Sequence, residues 1–133
     1  MTNADRARRW YKEVWVAGGE TTVDELMADD IVAFMEGTDI HNRNEFLAER
    51  QRLMQTFSDL SIVADDVIEQ GSKVAVRWHV TARHTGNTLG FPATNMPVSF
   101  RGMTWIEFKD GRIVRGWDSW NLGDLLQTLK AGS

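Results

Sequence analysis

The sequence predicts one α+β domain: a strongly curved antiparallel sheet with three helices packed over it and a short helix at the C-terminus. Two observations carry this. Apolar residues recur with a helical period up to about residue 57 and with a period of two from residue 60 onward. The strand-like stretches then reach ten residues or more, long for a chain of 133, which calls for a sheet bent into a cone. A chain of this length has room for a single core, so 1–133 is read as one domain.

Ala7, Trp10, Tyr11, Val14 and Trp15 fall at i, i+3, i+4, i+7 and i+8, one face of a first helix, with Gly18-Gly19 as its stop. Thr22-Val-Asp-Glu25 has the capping-box spacing that opens a short second helix. Residues 31–35 read as a first strand, entered through Asp29-Asp30. Asn42, with Glu45 three residues on, opens a third helix whose apolar face is Phe46, Leu47, Leu53, Met54 and Phe57. Strands follow over 60–69 and 73–85, joined through Gln70-Gly71-Ser72, and over 98–109 and 112–120, joined through Asp110-Gly111. Asp-Gly between apolar runs marks a tight hairpin, because both central residues of that turn need positive φ. Residues 85–97 hold both prolines and read as a loop over a sheet edge. Leu122, Leu125, Leu126 and Leu129 form a last helical face, with Asn121 as its natural cap.

Composition excludes several kinds of chemistry. The absence of Cys removes disulfides, thiolate metal sites and cysteine nucleophiles. His41, His79 and His84 lack the spacing of a helical metal motif, so no metal is expected. No phosphate-binding glycine loop and no serine elbow occur, so neither a nucleotide cofactor nor a serine nucleophile is expected. The net charge is −4 with both signs interspersed, and no basic stripe points to nucleic acid. The first fifteen residues lack a signal-like apolar stretch and no run could span a bilayer, so the expected address is the cytoplasm. Six Trp and six Phe are more informative, since large aromatics fill cores and also line pockets for flat organic ligands. A hydrophobic small molecule inside the cone is the expected ligand. Trp15, Met103, Trp105 and Trp120 are expected to line its site.

Two features suggest chemistry. In the strand over 73–85, Val74, Val76, Trp78, Val80 and Ala82 share one face, and Ala75, Arg77, His79, Thr81 and Arg83 the other. Either the apolar row is core, or it meets a second subunit while Arg77 and His79 point into a partly polar cavity; periodicity alone does not choose. Asp118 lies between Trp117 and Trp120 in a strand, where Asp is disfavoured and where indoles threaten to desolvate it. A carboxylate in an aromatic site is a means of making a tuned base.

Ordered segments along the chain resemble one family. They include Asp29-Asp30-Ile31-Val32, Lys73-Val-Ala-Val-Arg77-Trp78, His84-Thr85-Gly86 and Gly90-Phe-Pro92-Ala-Thr94. Further on come Val98-Ser-Phe-Arg-Gly102-Met, Asp110-Gly111-Arg-Ile113-Val and Trp117-Asp118-Ser-Trp120-Asn-Leu-Gly123. Together they resemble the SnoaL-like polyketide cyclases, densest from residue 73 to 129. The resemblance implies a nuclear-transport-factor-two-like cone, a homodimer through the outer sheet face, and Arg77 and His79 turned inward. It also implies an aspartate, here Asp118, as acid–base for an intramolecular aldol closure without cofactor. His79 or Arg77 would then stabilise the enolate oxygen. Asn95, Arg115 and Asn121 depart from the cyclase pattern, where glycine, glutamate and aspartate are common. A second resemblance is to limonene-type epoxide hydrolases, whose Arg-x-Asp is matched by Arg77-x-His79 with Asp118 as the other carboxylate. There His79 replaces a carboxylate, and Phe34 and Glu36 fall where water-holding residues stand. A non-catalytic binding protein on the same cone is the third reading.

Overall fold

The computed structural model describes residues 1–132. Helix α1 (Asn3–Glu13) starts at Thr2, whose hydroxyl accepts the Asp5 N–H while the Asp5 carboxylate accepts the Thr2 N–H. It ends at Val14, before the glycine pair; residues 14–19 form a turn segment in which Gly18 takes φ +82°. Helix α2 (Glu20–Leu26) opens earlier than expected, after Gly19. Thr22 therefore lies within it, and its hydroxyl donates to Glu13 at 2.9 Å instead of capping.

Strand β1 (Met27–Met35) is followed by a short β2 (Thr38–Ile40) that the sequence did not announce. Helix α3 (Arg43–Thr56) is capped by Asn42, which accepts the Glu45 N–H at 2.8 Å. Four strands follow: β3 (Phe57–Gln70), β4 (Lys73–His84), β5 (Pro97–Lys109) and β6 (Arg112–Trp120). Helix α4 (Leu122–Ala131) begins at Asn121, which accepts the Asp124 N–H at 2.9 Å. The Asp110-Gly111 turn has φ +52° and +78°, the double positive the hairpin signal demands.

The sheet order is β2-β1-β6-β5-β4-β3. Every neighbouring pair is antiparallel except β1 with β6, which is parallel, so the sheet is mixed where an antiparallel one was expected. Pairing skips a residue at Asp65 in β3 and at Val114 in β6. Such bulges bend a strand and raise its twist, and they help curl this sheet into a cone. The helices cover the concave side, α1 packing on β3 and β4 and α3 on β1 and β3. No described helix is long and apolar enough to cross a membrane.

Strand β4 settles the open question of its two faces. Val74, Val76, Trp78, Val80 and Ala82 are buried under the helices, while Arg77 is exposed. The apolar row is thus core, and the inward Arg77 and His79 that the resemblance implied are corrected. The physical reason is that covering helices bury the row completely, and burying an unpaired guanidinium there would cost far more.

Candidate active site

The concave sheet and the helices line a cavity of about 150 Å³ that opens to the outside. Its walls are mostly apolar. Trp10, Trp15 and Phe46 line the helical side, and Trp78, Phe100 and Trp120 the sheet. Trp120 stacks on Phe100 at 4.6 Å, Trp78 meets Phe100 edge-on at 6.3 Å, and Trp15 meets Phe46 edge-on at 6.0 Å. Trp15 sits in the turn segment that Arg50 holds. The buried guanidinium of Arg50 donates to the carbonyls of Val14 at 2.6 Å and Val16 at 2.7 Å, and to Glu20 at 2.9 Å.

Into this apolar space β6 delivers Asp118. The Thr104 hydroxyl, directly opposite on β5, donates to Asp118 Oδ1 at 2.6 Å. Behind it, the Trp78 indole N–H donates to Thr104 Oγ1 at 2.8 Å. Gly102 makes this approach feasible, since a Cβ there would lie 2.7 Å from the Trp78 ring. Burial pushes the Asp118 carboxyl up to about 6; the hydrogen bond from Thr104 opposes the shift and the charge of Glu36 adds to it. What surface Asp118 keeps faces the cavity, so it is desolvated although not wholly covered. Tyr11 of α1 is a hydrogen-bond neighbour of Thr104, and burial together with the Asp118 charge holds its phenol protonated. Glu36 also lines the cavity, as do Glu49 and Arg52, which pair with each other.

The expected site residues divide. Asp118, Trp15, Trp120 and Glu36 do line one cavity. Phe34 borders it, yet its ring stacks on Trp117 at 5.9 Å on the outer side. Met103 and Trp105 are corrected: they are 61% and 47% exposed on the convex face. Arg77 and His79 share that face, where His79 Nδ1 lies 2.8 and 2.9 Å from the Asp65 carboxylate oxygens. Neither can touch a ligand beside Asp118. Tyr11, Thr104 and Trp78 went unrecognised as site residues. Tyr11, the chain's one tyrosine and set on a buried helical face, was the available signal. Among the described residues no cluster of His, Cys, Asp and Glu could hold a metal ion.

Comparisons with known proteins agree with this architecture. Over 97% of the chain, a candidate SnoaL-like polyketide cyclase from Jannaschia sp. CCS1 superposes with a TM-score of 0.90 at 20% identity, 92% of that chain being covered. IdmH from Streptomyces antibioticus, a candidate polyketide cyclase, is 25% identical, with 98% of this chain and 99% of that one covered and a TM-score of 0.83. AclR from Streptomyces galilaeus, a candidate hydroxylase, is also 25% identical, with 98% of each chain covered and a TM-score of 0.79. No curated protein matches. A family model described as SnoaL-like polyketide cyclase matches residues 5–129, and the chain therefore belongs to that family.

Proposed function

We propose that the protein is an acid–base enzyme that closes a ring in an aromatic, polyketide-like carbonyl compound without a cofactor. One observation carries this reading: a carboxylate set in an aromatic cavity with a single hydrogen bond from Thr104, where burial pushes it up to about 6. A base of that strength is mostly ionised at pH 7 yet still binds a proton well, which suits general-base work. Asp118 takes the proton from the carbon beside a carbonyl; the C–H electron pair forms the enolate double bond and the carbonyl pair moves to oxygen. The Tyr11 O–H, held protonated beside Asp118, donates to that oxygen in the role first given to Arg77 and His79. The enolate carbon attacks a second carbonyl of the same molecule, and the new alkoxide recovers the proton from Asp118.

An aryl 1,3,5-triketone carries both the acidic carbon and the accepting carbonyl. Wild-type protein should convert it to the ring-closed aldol, and Asp118→Asn should do so roughly 10²–10⁴-fold more slowly, with ligand quenching of Trp fluorescence little changed. Tight binding with no acceleration by the wild type would replace the enzyme with a binding protein. The epoxide-opening reading is weakened, because it needed Arg77 beside Asp118 and Arg77 lies on the outer face. We further propose that two copies pair through that convex face, where Met103, Trp105 and Trp117 are exposed together.

A further inference from the structure

Asp118 has two carboxylate oxygens, and their surroundings differ. Oδ1 receives the Thr104 hydroxyl at 2.6 Å. Oδ2 has no hydrogen-bond partner among the described residues, yet it is not among the buried unpartnered atoms, of which His84 Nε2 is the single case. Its free surface therefore opens on the cavity that Asp118 lines.

The direction of the Thr104 bond is fixed by its other neighbours. An indole N–H can only donate, so Trp78 occupies one lone pair of Thr104 Oγ1. Thr104 has one proton, and it is placed on Asp118 Oδ1. Were Asp118 to carry its proton on Oδ1, the 2.6 Å bond that Oδ1 accepts from Thr104 would be given up.

We infer that Thr104, held by Trp78, is a positioning residue that keeps Oδ1 of Asp118 a permanent acceptor, so that the carboxyl takes up its proton on Oδ2. The inference rests on the reading of Asp118 as the base and names which of its atoms reacts. The groups facing Asp118 are Tyr11, Thr104 and Glu36, with the Glu49–Arg52 pair farther along the same lining.

The test is a titration of the Asp118 carboxyl by ¹³C NMR in protein labelled at aspartate, with Asp118→Asn giving the assignment. Thr104→Val removes a hydrogen bond that favours the anion, so the midpoint should rise by about one to two pH units. Thr104→Ser keeps the hydroxyl and should stay near wild type. Trp78→Phe keeps Thr104 but releases its proton to rotate, and should give a smaller rise. Trp78→Phe also carries the test if Thr104→Val does not fold. A folded Thr104→Val with an unmoved midpoint, or Thr104→Ser shifted as far as Thr104→Val, would overturn the assignment. Proton exchange of a bound aryl ketone, followed in the same variants, separates the two layers. If the midpoint moves as stated while the exchange rate ignores it, Thr104 keeps its role and Asp118 loses that of base.

Discussion

Asp118 is held in its site at a cost to the fold. Its carboxylate has given up water for one hydrogen bond from Thr104, and the net effect is a carboxyl raised from 3.8 to about 6. A raised carboxyl binds its proton more tightly folded than unfolded. Stability from this group is therefore greatest below about pH 4, falls as pH rises through about 6, and stays lower above it. Asp118→Asn removes the charge while leaving an oxygen for Thr104 to donate to. The variant should melt higher than wild type at pH 7.5, by at most about 3 kcal/mol, and the gap should close by about pH 4. Thermal melts at both pH values check this, and a less stable variant at pH 7.5 would mean that Asp118 is a structural anchor. Asp118 was legible in the sequence because an aspartate between tryptophans in a strand is out of place. Thr104 was not, because a threonine in a strand is ordinary and only its cross-strand partner gives it meaning.

At the scale of elements, the register of the β5–β6 hairpin decides which side chains enter the cavity. Lys109 pairs with Arg112 across the turn, and counting back without interruption would set Asp118 opposite Met103. The extra residue at Val114 shifts the count by one, so Asp118 turns inward opposite Thr104 and leaves the outer face that Met103 and Trp105 occupy on β5. No sequence signal marks that bulge; Met103 and Trp105 were misplaced because they are large and apolar although they alternate with the core row Val98, Phe100, Ile106 and Phe108. Caps and turns were legible because their chemistry is local: Asn42, Asn121 and Asp110-Gly111 all behave as their types require. Thr22 failed because Gly19 had already opened the helix. The same hairpin contains Gly102, where a Cβ would lie 2.7 Å from the Trp78 ring and 2.7 Å from the Ser119 carbonyl oxygen. Gly102→Ala should cost about 1–3 kcal/mol of stability and displace Trp78 from Thr104. A lowered denaturant midpoint with altered Trp fluorescence is the expected result; an unchanged midpoint would show that the strands yield there freely.

For the molecule as a whole, helices on the concave side and a bare convex side give the sheet two distinct tasks. The concave side holds the core and the cavity. On the convex side Met103, Trp105 and Trp117 are exposed together, an arrangement better suited to a partner than to water. Light scattering at micromolar concentration should give about twice the 15.1 kDa of one chain, and Trp105→Glu should lower it toward one. A monomer at all concentrations would leave that face to solvent. The cone itself was legible from period and strand length, whereas the inward side of β4 was not, because its alternation fits either face. The central claim is that the interior carboxylate of Asp118 is the base. It is tested most directly by the pH dependence of α-proton exchange in an aryl methyl ketone, followed by NMR in D₂O. The protein-dependent rate should rise with pH through a midpoint near 6, level off above it, and nearly vanish in Asp118→Asn. A rate with no inflection near 6, or one that Asp118→Asn leaves intact, would contradict it.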